Sequence, residues 1–201
     1  MGKSTVTSIL IIASFIEGGV LMAFEVLSAK IYTPFLGASI YVWTSILTVT
    51  LIGLAVGYWW GGKLSLKNSK QLLIRSFLIA GILILGSTFI ADIILPGLLN
   101  MSIKGASIVA GFMVLFVPVL FLGTVSPLII GLLHNMGRKL STTTGLIFGI
   151  GTVGGIVLLL TTVFVFIPTI GVRNSSYVLG LLLLLMATAL YFTIIQSDEQ
   201  K

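Results

Sequence analysis

Six stretches of about 20 residues, each nearly free of charge, run the length of this chain, and they decide what it can fold into. The first reads TSILIIASFIEGGVLMAFEVL, from Thr7 to Leu27. The others are Ile40–Trp60, Leu72–Ile94, Ala106–Leu133, Thr143–Ile167 and Tyr177–Ile195. In water such runs must be hidden, and a 201-residue chain that is 57% hydrophobic and 8% charged cannot hide them all. A bilayer can. Hydrocarbon tolerates only backbones whose polar groups are satisfied internally, and uninterrupted runs select helices over the alternating segments of a barrel. The reading is an all-α, polytopic transmembrane bundle of six spans forming one domain over residues 1–201.

Loop charge orients the bundle. Lys3, Lys63, Lys67, Lys70, Arg75, Arg138, Lys139 and Lys201 fall on one side of the six spans, and only Lys30, Lys104 and Arg173 on the other. The basic side is expected to be cytoplasmic, with both termini inside and the protein in the inner (plasma) membrane. The net charge of +6 is thereby a topology signal and not a nucleic-acid surface. The chain has no cysteine, which removes disulfides, thiolate metal sites and cysteine nucleophiles. No cofactor-binding fingerprint is present.

Prolines and glycines predict the irregular places. Pro118 and Pro127 interrupt the fourth run, and a break is expected around Gly123–Pro127. Pro168 is expected to stop the fifth. The stretch Ala29–Ser39 is apolar for a loop and reads as a short interfacial or re-entrant piece. The spacings Gly53/Gly57/Gly61, Gly145/Gly149 and Gly151/Gly155 mark close helix packing, either inside the bundle or on a homodimer face. Trp43, Tyr58, Trp59 and Trp60 read as interface anchors. Two halves of three spans would have opposite orientations, although no internal sequence repeat supports a duplication.

The residues that could carry chemistry are few. Glu17 and Glu25 lie inside the first run, where an ionised carboxylate costs several kcal/mol unless it meets a partner or a wet cavity. Eight residues separate them, about 80° around a helix, so both can look toward one side. They are the candidate substrate-binding residues, as a cation or proton site. The competing reading is a structural carboxylate, protonated or paired with Lys30 or a backbone group. Asp92 lies near the end of the third run and reads as interfacial; His134 reads as a solvated histidine beside Arg138 and Lys139. No nucleophile, base and orienting acid can be assembled from one histidine, so the chain is not expected to be an enzyme; an intramembrane glutamate acid or base is the least supported alternative.

The stretch from Gly18 to Ser65, GGVLMAFEVLSAKIYTPFLGASIYVWTSILTVTLIGLAVGYWWGGKLS, resembles the membrane domain of bacterial spermidine synthase-like proteins. The shared features are Glu25 followed by Lys30, a Gly37-x-Ser39 turn, Tyr41, and a glycine-spaced second helix ending in Gly61-Gly62-Lys63. FLGTVSPLIIGLL (121–133) and GIGTVGGIVLLLTTVFVFIPTIG (149–171) resemble later parts of the same domain. The chain has no counterpart of that family's soluble catalytic domain, so the resemblance does not bring aminopropyl transfer with it. It implies an association with polyamines. The expected function is binding or transport of a small organic cation through Glu25 and Glu17, with Asp92, Ser126 and Tyr41 as further candidate contacts. The alternative is a non-catalytic anchor for a separately encoded synthase-like enzyme docked on the Lys63–Arg75 rim. Lipid and a cationic solute are the expected partners, with a soluble enzyme or a second copy as the others; nucleic acid is not among them.

Overall fold

A computed structural model describes residues 3–65 and 69–195; Lys67 and Lys201 of the expected basic side, and residues 196–201, lie outside it. The described chain is helical throughout. The long helices are α1 (Lys3–Leu36), α2 (Ile40–Leu64), α3 (Ser69–Ile94), α4 (Ile103–Ala110), α5 (Val117–Asn135), α6 (Leu140–Thr161) and α7 (Ile167–Leu190). A wide π-helical stretch, Gly111–Phe116, joins α4 to α5, and another, Thr162–Phe166, joins α6 to α7. Each ends two residues before a proline, Pro118 or Pro168. A proline ring strikes the carbonyl four residues back and offers no N–H, and a widened turn moves that carbonyl aside.

Five continuous helical stretches are long and apolar enough to cross a membrane, rather than six. The difference lies at the end of the chain. Pro168 does not stop the fifth run, so the fifth and sixth fuse into one stretch, Leu140–Thr193, of 54 residues. At 1.5 Å per residue that would be about 80 Å if straight, far more than a bilayer. Gly171 breaks it, with φ 81° and ψ 170°. The two halves then run in opposite directions, as their neighbours show. α6 lies parallel to α1: Ser14 Oγ donates to the Ile147 carbonyl at 2.9 Å, and further along Gly18 meets Gly151. α7 lies antiparallel to α3: Gly81 faces Gly180, and Asp92 pairs with Arg173.

Two expected irregularities are absent where they were placed. α5 runs unbroken through Gly123–Pro127, where Gly57 packs against the Gly123 backbone; the irregular turns lie upstream at 111–116. Ala29–Ser39 is not a separate re-entrant piece. α1 continues to Leu36, its Tyr32 fully buried, and ends where Gly37 takes a φ of 73° and donates its N–H to the Thr33 carbonyl at 3.0 Å. Ser39 then caps α2 through the Val42 N–H.

Close helix pairs hold the bundle together. α1 packs along α6, α2 along α5, and α3 along α7. A Cβ on Gly57 would lie 2.9 Å from Gly123 Cα, and one on Gly61 2.7 Å from the Thr124 carbonyl oxygen. The faces of Gly53/Gly57/Gly61 and Gly151/Gly155 are thus used up inside the molecule. Gly145 and Gly149 face open space, so they pack against no helix within the molecule. Lys63, Arg75, Arg138 and Lys139 are exposed at one end, called the basic end below, and Lys30, Lys104, Asp92 and Arg173 mark the far end. Lys63 lies over the Trp59 ring, 3.7 Å from its centroid. The chain is an integral membrane protein of the helical-bundle type.

Candidate functional site

Glu17 sits near the middle of α1, where Gly18 and Gly19 let α6 approach backbone to backbone. Close packing is what these glycines provide. Glu17 is 3% exposed, and Ser126 Oγ on α5 donates to its Oε2 at 3.2 Å. The carboxylate lines a cavity of about 250 Å³ walled by α1, α2, α5 and α6, together with Met22, Tyr58, Ser126, Phe148 and Thr152. Among the lining residues there is no lysine, arginine or histidine. A carboxylate, three hydroxyls and two aromatic rings therefore share one small space, most of whose wall is apolar.

Tyr58 and Phe148, both in the wall of this cavity, meet edge to face, ring centroids 6.0 Å apart. Beyond Phe148, toward the basic end, lies a second cavity of about 480 Å³, lined by Ser65, Pro127, His134, Asn135 and Leu140. Phe148 belongs to both walls and so forms the partition. His134 stands at the end of α5, with Nδ1 3.3 Å from the Arg138 carbonyl oxygen.

Glu25 is buried at 9% exposure, two turns further along α1. It lies by the Thr50 hydroxyl of α2, with no well-formed hydrogen bond between them. It does not line the Glu17 cavity. Lys30 is exposed and forms no ion pair with Glu25 among the described residues. Asp92 is at the far end, paired with Arg173 across α3 and α7 instead of standing alone at the interface. Tyr41 is exposed at the far end, with the Lys104 ammonium 5.1 Å from its ring centroid. Of the five residues singled out from sequence, the fold brings Glu17 and Ser126 together and leaves Glu25, Asp92 and Tyr41 apart from them.

Sequence reading missed Tyr58 and Phe148 as parts of a site. Tyr58 reads as one of three consecutive interface aromatics, and nothing in the sequence marks its contact with α6. Phe148 carries no signal, because α6 is apolar on every face and periodicity cannot mark an inward side. Among the described residues no three of His, Cys, Asp and Glu cluster to hold a metal ion. No protein-family model, curated protein or solved structure matches this chain.

Proposed function

We propose that this protein binds and moves a small organic cation across the membrane, with Glu17 as the counter-charge. One observation carries the reading: a buried carboxylate lines a cavity of about 250 Å³ that contains no basic side chain of the protein. Inside hydrocarbon an unpaired carboxylate is costly, and a cationic guest supplies the missing charge. An ammonium group donates up to three hydrogen bonds, and Glu17, Ser126 and Tyr58 offer acceptor oxygens. The apolar remainder of the wall suits methylene groups between charges. A polyamine combines both features, and the resemblance to spermidine synthase-like membrane domains points to the same class. The basic end faces the cytoplasm of the plasma membrane in this reading, and the chain itself performs no chemistry.

The test is equilibrium binding of radiolabelled spermidine to the protein in lipid nanodiscs. Glu17→Gln weakens binding at least about tenfold, equivalent to ~1.4 kcal/mol, while Glu25→Gln, outside the cavity, changes it far less. Equal binding by wild type and Glu17→Gln, both folded, overturns the site.

A further inference from the structure

The two halves of the chain, 3–98 and 103–193, each cross the bundle three times, and their pairings mirror one another. α1, the first pass of the first half, packs along α6, the middle pass of the second. α2, the middle pass of the first half, packs along α4 and α5, the first pass of the second. The last passes, α3 and α7, pack on each other. Both cross-half pairs are parallel: Gly18 with Gly151 and Met22 with Gly155 in one, Gly57 with Gly123 and Ser65 with Gly131 in the other. The two first passes are mutually antiparallel, since Glu17 meets Ser126 while Tyr32, 15 residues later, meets Ala110, 16 residues earlier.

A two-fold axis lying in the membrane plane imposes these relations. It passes through the α3–α7 crossing, where a Cβ on Gly81 would be 3.1 Å from the Gly180 oxygen and one on Gly180 2.8 Å from the Gly81 oxygen. It emerges between α2 and α6, where Tyr58 meets Phe148 over the Glu17 cavity. This pseudo-symmetry lies in which helices pair, and no internal repeat in the sequence announces it.

The contacts sort into two mechanical kinds. Within the α1–α6 pair and within the α2–α5 pair, glycines bring backbones into direct contact. Such surfaces interlock and do not slide. Between these two pairs lie the cavities, the Glu17–Ser126 hydrogen bond, the Tyr58–Phe148 edge contact and the Tyr32–Ala110 hydrogen bond. The gap is open toward the basic end, where Ser65, Gly131 and His134 face Leu140 and Phe148 across about 480 Å³. It is closed toward the far end, where Tyr32 Oη donates to the Ala110 carbonyl at 3.1 Å.

We propose that the protein alternates between two conformations exchanged by this pseudo-two-fold axis, the α1–α6 pair rocking against the α2–α5 pair so that the Glu17 cavity communicates with one end of the bundle at a time. The observed arrangement is the state open to the basic end. In the other, the Tyr32–Ala110 contact parts and the gap beside Ser65 and Leu140 closes. The inference extends the transport reading above but takes from it only the position of the cavity.

The chain contains no cysteine, so labels can be placed without removing any. Two doubly spin-labelled proteins in lipid nanodiscs report on the two ends: Lys63→Cys/Ser141→Cys at the basic end and Ile40→Cys/Phe164→Cys at the far end, all at exposed positions. With no solute added, each pair gives two distance populations. Tyr32→Phe, which deletes one hydroxyl donor at the far-end closure, shifts both equilibria about fivefold toward the second state. The basic-end distance then shortens as the far-end distance lengthens. A single unchanged distance at either end, in wild type and Tyr32→Phe alike, overturns alternation. Because no solute enters this measurement, its outcome is independent of spermidine binding: static distances with Glu17-dependent binding reject the alternation alone, and two populations without spermidine binding reject only the choice of guest.

Discussion

Ser126 Oγ on α5 donates a hydrogen bond to Glu17 Oε2 on α1 at 3.2 Å, joining residues 109 positions apart in the chain. It is one of the places where the two glycine-locked helix pairs touch through polar atoms, and it lies at the wall of the cavity between them. Removing one partner from a buried hydrogen bond leaves the other without compensation, at a cost of about 1–3 kcal/mol. Ser126→Ala should therefore lower stability in detergent micelles by about that amount. Thr152→Ala, at an exposed position on the same cavity wall, should cost much less. Equal thermal midpoints for Ser126→Ala and wild type would remove this bond as a tie between the pairs.

The glycine interfaces predict position-dependent effects from one substitution. In Gly57→Ala the added methyl would lie 2.9 Å from Gly123 Cα, where only backbone could yield. Overpacking of this kind costs about 1–3 kcal/mol. Gly145→Ala adds its methyl into open space and replaces a poor helix former, so it should be neutral or stabilising by up to about 1 kcal/mol. Thermal unfolding of the two variants side by side is the measurement, and equal behaviour would contradict the interlocking of α2 with α5.

Gly171 carries a different constraint. Nothing lies near its missing side chain, yet its φ of 81° and ψ of 170° fall in a region that is essentially glycine-only. Gly171→Ala should cost about 1–3 kcal/mol through backbone strain alone. Its unfolding midpoint should fall, whereas Gly149→Ala, in equally open space within a helix, should not. A tolerated Gly171→Ala would mean that the reversal between α6 and α7 is made elsewhere.

The Asp92–Arg173 pair at the far end should matter little to stability. Its side chains are 45% and 61% exposed, and ion pairs so open to solvent contribute about 0–1 kcal/mol. Arg173→Gln should leave the unfolding midpoint within that range, and a larger loss would show the pair to be more protected than its exposure implies.

Glu17 and Glu25 show how far sequence reasoning reached. Their burial followed from their place in an apolar run, and both are buried. Which of them faces a cavity did not follow, since a helix tells only that they are about 80° apart. The neighbours that make the difference, Ser126 and Phe148 for Glu17 and Thr50 for Glu25, come from α5, α6 and α2. Pro127 and Pro168 illustrate the same boundary. Pro127 reads as an interruption and Pro168 as a stop, yet α5 runs through the first and the wide turn at 162–166 leads the helix past the second.

The sequence by itself determined the solvent and the secondary structure. Apolar runs of about bilayer length exclude water, and hydrocarbon then demands helices with their backbone bonds closed. Local geometry also set the helix end at Gly37 and the cap at Ser39. Only the tertiary structure decided which helices pair, that the pairings of the two halves mirror one another, and that a carboxylate lines a cavity. The physical reason is that helices apolar on all faces carry no periodic mark of an inward side, so their partners are chosen by the fit of small residues against distant backbone. That fit, Gly18 to Gly151 and Gly57 to Gly123, exists only once the chain is folded.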